Sequence, residues 1–455
     1  MKKRILSVLS VLLIAAMVFG LAACGSGNDK TAGAGTQTAS TVEAAVAEVT
    51  TAEAAEPAAA PAQPVSLKLW HMFVSDGDGN KKPFEAVLKH ADEQLTDVKL
   101  EIDGVDNESY KTKIKTAVAA NDVPDIFFTW AAGFSKPFVD SGKVLCLDEY
   151  MGDIKDKLLP GITTNMTYNG KVYGLPFQMQ CGALFCNKEL FDNNGVKIPE
   201  TWDELLAAVK AFNAKGITPM TCGAGDKWPA MWYYDILALR TAGAQLCNDA
   251  LNKKASFNSP EFTEAAAKLD ELSKAGAFGK NALGTTWDES QIAFAEGKAA
   301  MIYNGNWVAG LAEGETSKVK GKVVAVKFPL ISGGKGTMTE YYGGSGDGFM
   351  ISANTVDKEK AVKTVKFICE DMAKESYLAG SGMPGWKIEV DDSKVSPLVK
   401  QLVTTTKDAT GWVLWWDVFL EGADADTHKN LATEVLAGTR TPEDYSVEMQ
   451  KLNEK

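Results

Sequence analysis

Residues 65–130 switch repeatedly between strand and helix periodicity, and this alternation narrows the possible folds more than any other feature of the chain. Residues 65–74 are extended and apolar, 83–95 repeat apolar side chains at helical spacing, 98–105 alternate as a strand does, and 109–120 are helical again. Residues 125–130 form a short apolar run of the kind buried on both faces of a parallel sheet. A β-α-β-α-β succession places parallel strands side by side with helices packed against them. The fold class that follows is α/β. Further along, Asn169-Gly170 predicts a tight hairpin between short strands. Thr201-Trp202-Asp203-Glu204 is a capping box that opens a helix running to Asn213. Residues 260–274 and 287–296 read as further helices, the second boxed by Thr286 and Glu289. Sheet-like segments return at 323–328 and 346–352, and the chain is mostly helical from 395.

The beginning of the chain predicts where this fold operates. Lys2, Lys3 and Arg4 precede an almost wholly apolar stretch, 5–21, which closes on Leu21-Ala22-Ala23-Cys24. That is the pattern of a secretory signal with a lipobox, in which cleavage before Cys24 leaves its thiol to carry a diacylglycerol. An uncleaved membrane anchor is the competing reading, and the position of Cys24 disfavours it. Residues 1–23 are therefore expected to be a signal peptide, and 24–64 the lipidated cysteine with a tether. The tether has no aromatic residue and is mostly Ala, Thr, Gly, Glu, Ser and Pro, too polar to bury a core. As a flexible coil it spans on the order of 35 Å. The rest is expected on the outer face of the cytoplasmic membrane, touching the bilayer through the lipid alone.

About 390 residues remain, enough for two domains. The formal net charge of −12 argues against nucleic acid and anionic lipid as partners. Only Arg4, Arg240 and Arg440 are arginines. Sites for phosphate or carboxylate favour the bidentate guanidinium fork, so a neutral ligand is expected. Apart from Cys24, the cysteines (Cys146, Cys181, Cys186, Cys222, Cys247 and Cys369) show no metal-ligand spacing. Cys181 and Cys186 lie five apart in a predicted strand and face opposite sides, so buried free thiols are expected.

Four stretches, taken in order, carry a family resemblance. They are Val123-Pro124-Asp125-Ile126-Phe127-Phe128-Thr129-Trp130; Tyr173-Gly174-Leu175-Pro176 with Leu184-Phe185-Cys186-Asn187-Lys188; Pro199-Glu200-Thr201-Trp202-Asp203-Glu204-Leu205; and Phe294-Ala295-Glu296-Gly297-Lys298-Ala299-Ala300-Met301 through Asn304-Gly305-Asn306-Trp307. With these motifs the chain from 65 to its end resembles the maltose-binding-like, family 1 extracellular solute-binding proteins of ABC importers. The resemblance implies a two-lobe, periplasmic-binding-protein-like (type II) fold with hinge strands between the lobes. The N-terminal lobe would comprise 65–175 and 336–380, the C-terminal lobe 176–335 and 381–455. It also implies a monomer that needs no cofactor or metal and hands a sugar, expected to be an oligosaccharide, to membrane permease subunits.

A pyranose has apolar C–H faces and a belt of hydroxyls, so its site needs flat aromatic surfaces and fixed polar groups. Trp70 and His71 end the first predicted strand and Trp130 the third, where ligands of open α/β sheets sit. By resemblance, Trp130 and Trp307 map onto sugar-stacking positions, with Asn304 in the turn that carries Trp307. Trp228 lies where the second lobe supplies an aromatic. Trp416, in the cluster Trp412, Trp415, Trp416 and Asp417, lies near another stacking position. Asp347, after a glycine-rich run, and Asp417 are candidates to hold hydroxyls. Trp202 and Trp287 open capped helices and are read as packing residues. Asp76-Gly77-Asp78-Gly79-Asn80 begins like a calcium loop but lacks the Gly and Glu that such a loop needs, and is read as a surface turn. There is no G-x-S-x-G, H-E-x-x-H or P-loop, and the chain has three histidines. An enzyme is therefore not expected. A secreted glycoside hydrolase, which needs two suitably spaced carboxylates, stays open as an alternative, as does the same fold binding a non-sugar solute.

Overall fold

The computed structural model describes residues 63–455; the expected signal peptide, Cys24 and nearly all of the tether fall outside them. β1 (Val65–His71), α1 (Lys81–Gln94), β2 (Val98–Gly104), α2 (Asn107–Ala120), β3 (Ile126–Trp130) and α3 (Ala132–Asp140) follow the expected alternation. β1 pairs in parallel with β2 from Val65↔Val98 to His71↔Gly104, and with β3 at Leu69↔Ile126. The hairpin β4 (Thr167–Tyr168) and β5 (Lys171–Val172) turns on Asn169 and Gly170, whose φ values of 51° and 76° are what a two-residue primed turn requires. β6 (Gly174–Leu175) follows.

The middle of the chain contributes β7 (Gln178–Asn187), α4 (Lys188–Asn194), α5 (Trp202–Ala214), β8 (Thr218–Met220), α6 (Trp228–Leu251), α7 (Pro260–Lys274), α8 (Trp287–Ala295), β9 (Ala299–Gly305), α9 (Val308–Ala312) and β10 (Val323–Val326). Then come β11 (Glu340–Gly344), β12 (Asp347–Ile351), α10 (Lys358–Ala379), β13 (Met383–Pro384), α11 (Pro397–Thr405), β14 (Gly411–Val413), α12 (Trp416–Phe419), α13 (Gly422–Leu436) and α14 (Pro442–Asn453). Both capping boxes form. The Glu204 N–H donates to Thr201 Oγ1 at 3.3 Å, and the Glu289 N–H to Thr286 Oγ1 at 3.2 Å. No helix among the described residues is long and apolar enough to cross a membrane.

Two sheets give the two lobes. One has the order β2-β1-β3-β12-β6; the other has β14-β11-β7-β9-β8, with β10 and β13 also paired to β7. The chain leaves the first sheet after β6, returns at β12 and leaves again before β13. The return falls later than the expected 336, because β11 pairs antiparallel with β7 at Gly343↔Cys181 and so belongs to the second sheet. A Cβ on Gly343 would lie 2.2 Å from the Gln180 carbonyl oxygen, so only glycine allows this crossing. Phe84 and Phe349 stack at 5.8 Å in the core of the first sheet. All six described cysteines are free and five are buried, as expected. Burial pushes the Cys181 thiol up to about 12.

Candidate functional site

A cavity opens where segments of both sheets converge. One wall is aromatic. Trp228 and Trp232 lie one turn apart on α6, Trp287 opens α8, Trp307 precedes α9, and Trp415 precedes α12. Trp232 and Trp415 stack at 4.0 Å with planes 13° apart, and Trp307 leans on Trp232 at 5.4 Å. Trp228 contacts Trp232 at 5.1 Å and Trp287 at 5.6 Å, which makes the five rings contiguous. Trp130, at the end of β3, supplies a sixth ring beside Phe128.

The polar lining comes mainly from the other sheet. Asp78 and Asn80 lie in the loop after β1, Asn107 and Lys111 face inward from α2, Asp347 begins β12, and Asp417 lies in α12. Gln180 on β7 ties the two sides together. Its Nε2 donates to Asp347 Oδ2 at 2.8 Å while its Oε1 accepts from Trp415 Nε1 at 3.1 Å. Burial pushes the Asp78 and Asp347 carboxyls up to about 7; the charge of Asp288 adds to the first shift and that of Asp78 to the second. Several buried lining atoms have no hydrogen-bond partner within the protein: Asp78 Oδ2, Asn107 Oδ1, Asp347 Oδ1 and the indole N–H groups of Trp228, Trp232, Trp287 and Trp307. Native proteins rarely leave such groups unpaired, since each costs about 1–3 kcal/mol. Flat apolar faces interleaved with inward-pointing donors and acceptors suit a ligand that is apolar on its faces and hydroxylated around its rim.

The loop 75–80 also bridges the cleft. Ser75 Oγ donates to Asp288 Oδ2, Gln291 Nε2 donates to the Gly77 carbonyl at 3.1 Å, and Ser381 Oγ donates to Asn80 Oδ1 at 2.9 Å. A Cβ on Gly79 would lie 2.3 Å from the Trp307 carbonyl oxygen. The surface turn expected for 76–80 is thus corrected. Asp76 is exposed, whereas Asp78 and Asn80 are buried at the cavity.

Of the residues singled out from sequence, Trp130, Trp228, Trp307, Asp347 and Asp417 line the cavity; Trp70, His71, Asn304 and Trp416 do not. The Trp70 ring lies beneath Lys113 Nζ at 4.1 Å, outside the cavity. His71 is buried against Phe84 at 4.6 Å, its Nδ1 accepts the Phe73 N–H, and burial pulls its pKa down to about 4. The chain reaches the cavity one and two residues later, with Met72 and Phe73. Asn304 Oδ1 accepts the neighbouring Gly305 N–H at 2.8 Å. Trp416 is fully buried among Tyr234, Phe257 and His428, and Trp415 takes the place at the cavity. Trp202 packs as expected, its indole N–H donating to Glu271 Oε2 at 3.1 Å, while Trp287 lines the cavity as well as opening its helix. Sequence reasoning missed Asp78, Asn80, Asn107, Lys111, Gln180 and Trp232. Only Trp232 carried a signal, since it lies four residues after Trp228 on one helix face.

The model of the bacterial extracellular solute-binding protein family matches residues 77–375. A structure solved in work on xylan utilization by the thermophilic bacterium Caldanaerobius polysaccharolyticus is 46% identical, with a TM-score of 0.83 over 85% of this chain and 100% of that one. A chitin oligosaccharide binding protein is 27% identical, with a TM-score of 0.77 over 86% of this chain and 98% of its own. The multiple sugar-binding protein of Streptococcus mutans is 28% identical over 339 residues, covering 70% of this chain and 76% of that protein. With most of its two-lobed part matched by one family model, the chain belongs to the bacterial extracellular solute-binding proteins.

Proposed function

We propose that the protein is the extracytoplasmic substrate-binding component of an ABC importer, capturing an oligosaccharide with a neutral main chain between its lobes and delivering it to the permease. The observation that carries this reading is the wall of contiguous tryptophan rings facing buried donors and acceptors that have no partner within the protein. Rings stack on the C–H faces of successive sugar units while the indole N–H groups and carboxyls meet their hydroxyls. Asp78 and Asp347, buried and inclined to keep their protons, offer hydroxyl-like donors as well as acceptors. The similarity to the protein from xylan-utilization work makes a xylan-derived oligosaccharide the first candidate.

The lobes are assigned as 65–175 with the return strand and helix up to 380, and the intervening segment with 381–455. Hinge closure between them buries the ligand. Cys24 carries the lipid, and the protein acts as a monomer on the outer face of the membrane. A thermal-shift and titration screen over xylo-, chito- and malto-oligosaccharides tests the reading. A bound sugar at a hundred times its dissociation constant adds about 2.7 kcal/mol to stability, and the sugar is recovered intact. No shift with any sugar, or release of hydrolysis products, overturns it.

A further inference from the structure

The residues around Trp130 border more than the cavity. Lys111, Trp130, Asp417 and Val418 also line a second groove that runs between α2, α3 and the segment entering α13. Aromatic surface continues into it, since the Phe134 ring meets Trp130 at 4.9 Å and Phe138 lies beyond at 5.8 Å from Phe134. Its charge is opposite to that of the molecule. Four lysines (Lys111, Lys115, Lys143 and Lys429) face two aspartates (Asp417 and Asp426) in a chain of net charge −12.

Two of these lysines are already neutralised: Lys111 by Glu108 at 2.6 Å and Lys429 by Asp426 at 2.8 Å. Lys143 donates to the neutral Asn121 Oδ1 at 2.6 Å. Lys115 makes no ion pair among the described residues, and its Nζ lies over the Phe134 ring at 4.8 Å. Asp417, likewise without an ion pair among the described residues, stands at the border shared with the cavity, where hydroxyls are expected.

From this geometry we infer that the groove receives a carboxylate-bearing substituent of the captured oligosaccharide, a uronic acid unit whose carboxylate pairs with Lys115. The inference rests on the oligosaccharide reading above and narrows its substrate class. A lysine is a point charge that one carboxylate satisfies, and the absence of arginine from the groove fits a singly charged group better than a phosphate.

Calorimetric titration with xylotetraose, and with xylotetraose carrying one glucuronic acid branch, tests it on the wild-type protein and on Lys115→Gln. The branched sugar should bind about fivefold tighter to the wild type at low salt, the strength of a favourable partly exposed ion pair. That advantage should vanish at high ionic strength and in Lys115→Gln, while affinity for the neutral tetraose stays unchanged in both. A branch that brings no gain, or a gain that survives Lys115→Gln, overturns the groove assignment and leaves the cavity reading standing. Failure of both sugars to bind overturns the substrate reading on which it rests.

Discussion

Replacing Trp307 separates ligand recognition from packing, because its ring serves both. The side chain is 9% exposed; it leans on Trp232 at 5.4 Å and faces Trp415 at 6.4 Å, and its indole N–H has no partner within the protein. Truncation to Ala removes one stacking face and one donor from the cavity. An aromatic anchor in a closed site is worth about 2 kcal/mol or more, roughly thirtyfold in affinity. The same truncation leaves Trp232 and Trp415 unsupported on one side. Since a fully buried Trp→Ala change costs about 3–5 kcal/mol and this ring borders a cavity, a stability loss near 3 kcal/mol is expected. Trp307→Phe keeps the ring contacts but loses the N–H, so it should melt close to the parent and still bind several-fold more weakly. Trp202→Ala is the counterpart. That ring is buried away from the cavity, with Lys268 Nζ 5.3 Å from its centroid, so the variant should lose stability while its folded fraction binds normally. Sugar titration and melting curves on the three variants are the assay. Binding by Trp307→Ala within threefold of the parent would refute the assignment of this ring to the ligand.

Three further outcomes are expected. Asp78 and Asp347 lose their protons near pH 4 in the unfolded chain, whereas burial holds them to about pH 7 in the fold. The folded state therefore binds more protons between these values, and stability should fall as pH rises from about 4 to 7. Asp347→Asn should flatten part of that fall; an unchanged melting profile would refute it. Gly79→Val should force the 75–80 loop away from the Trp307 carbonyl at about 1–3 kcal/mol. Its expected effects are an affinity loss of about tenfold or more and a larger radius of gyration in sugar-saturated solution. Cys24→Ser should leave the protein without acyl chains, read by detergent partitioning and mass spectrometry, because the thiol is the acyl acceptor.

Local chemistry made much of this protein legible in its sequence. The β-α-β-α-β alternation gave β1 to β3 and their helices, Asn169-Gly170 gave the hairpin, and the Thr201 and Thr286 boxes gave two helix starts, because each depends on residues a few positions apart. Trp130 at the end of β3 and Trp307 just past β9 were locatable for the same reason, since an open sheet presents its strand ends to a cleft. Which neighbour faces that cleft was a different matter. Trp415 and Trp416 are adjacent and chemically identical, yet one stacks on Trp232 while the other is enclosed by Tyr234, Phe257 and His428. Asp78 reads as part of a solvated turn until Asp288, Gln291, Trp307 and Ser381 close over its loop from the far side of the cleft. Gln180 reads as one more strand residue until Asp347 and Trp415 arrive on either side. Apart from His428, the groups that bury and partner these positions come from segments more than a hundred residues away in the chain, so periodicity and capping, which act over a few residues, carry no information about them.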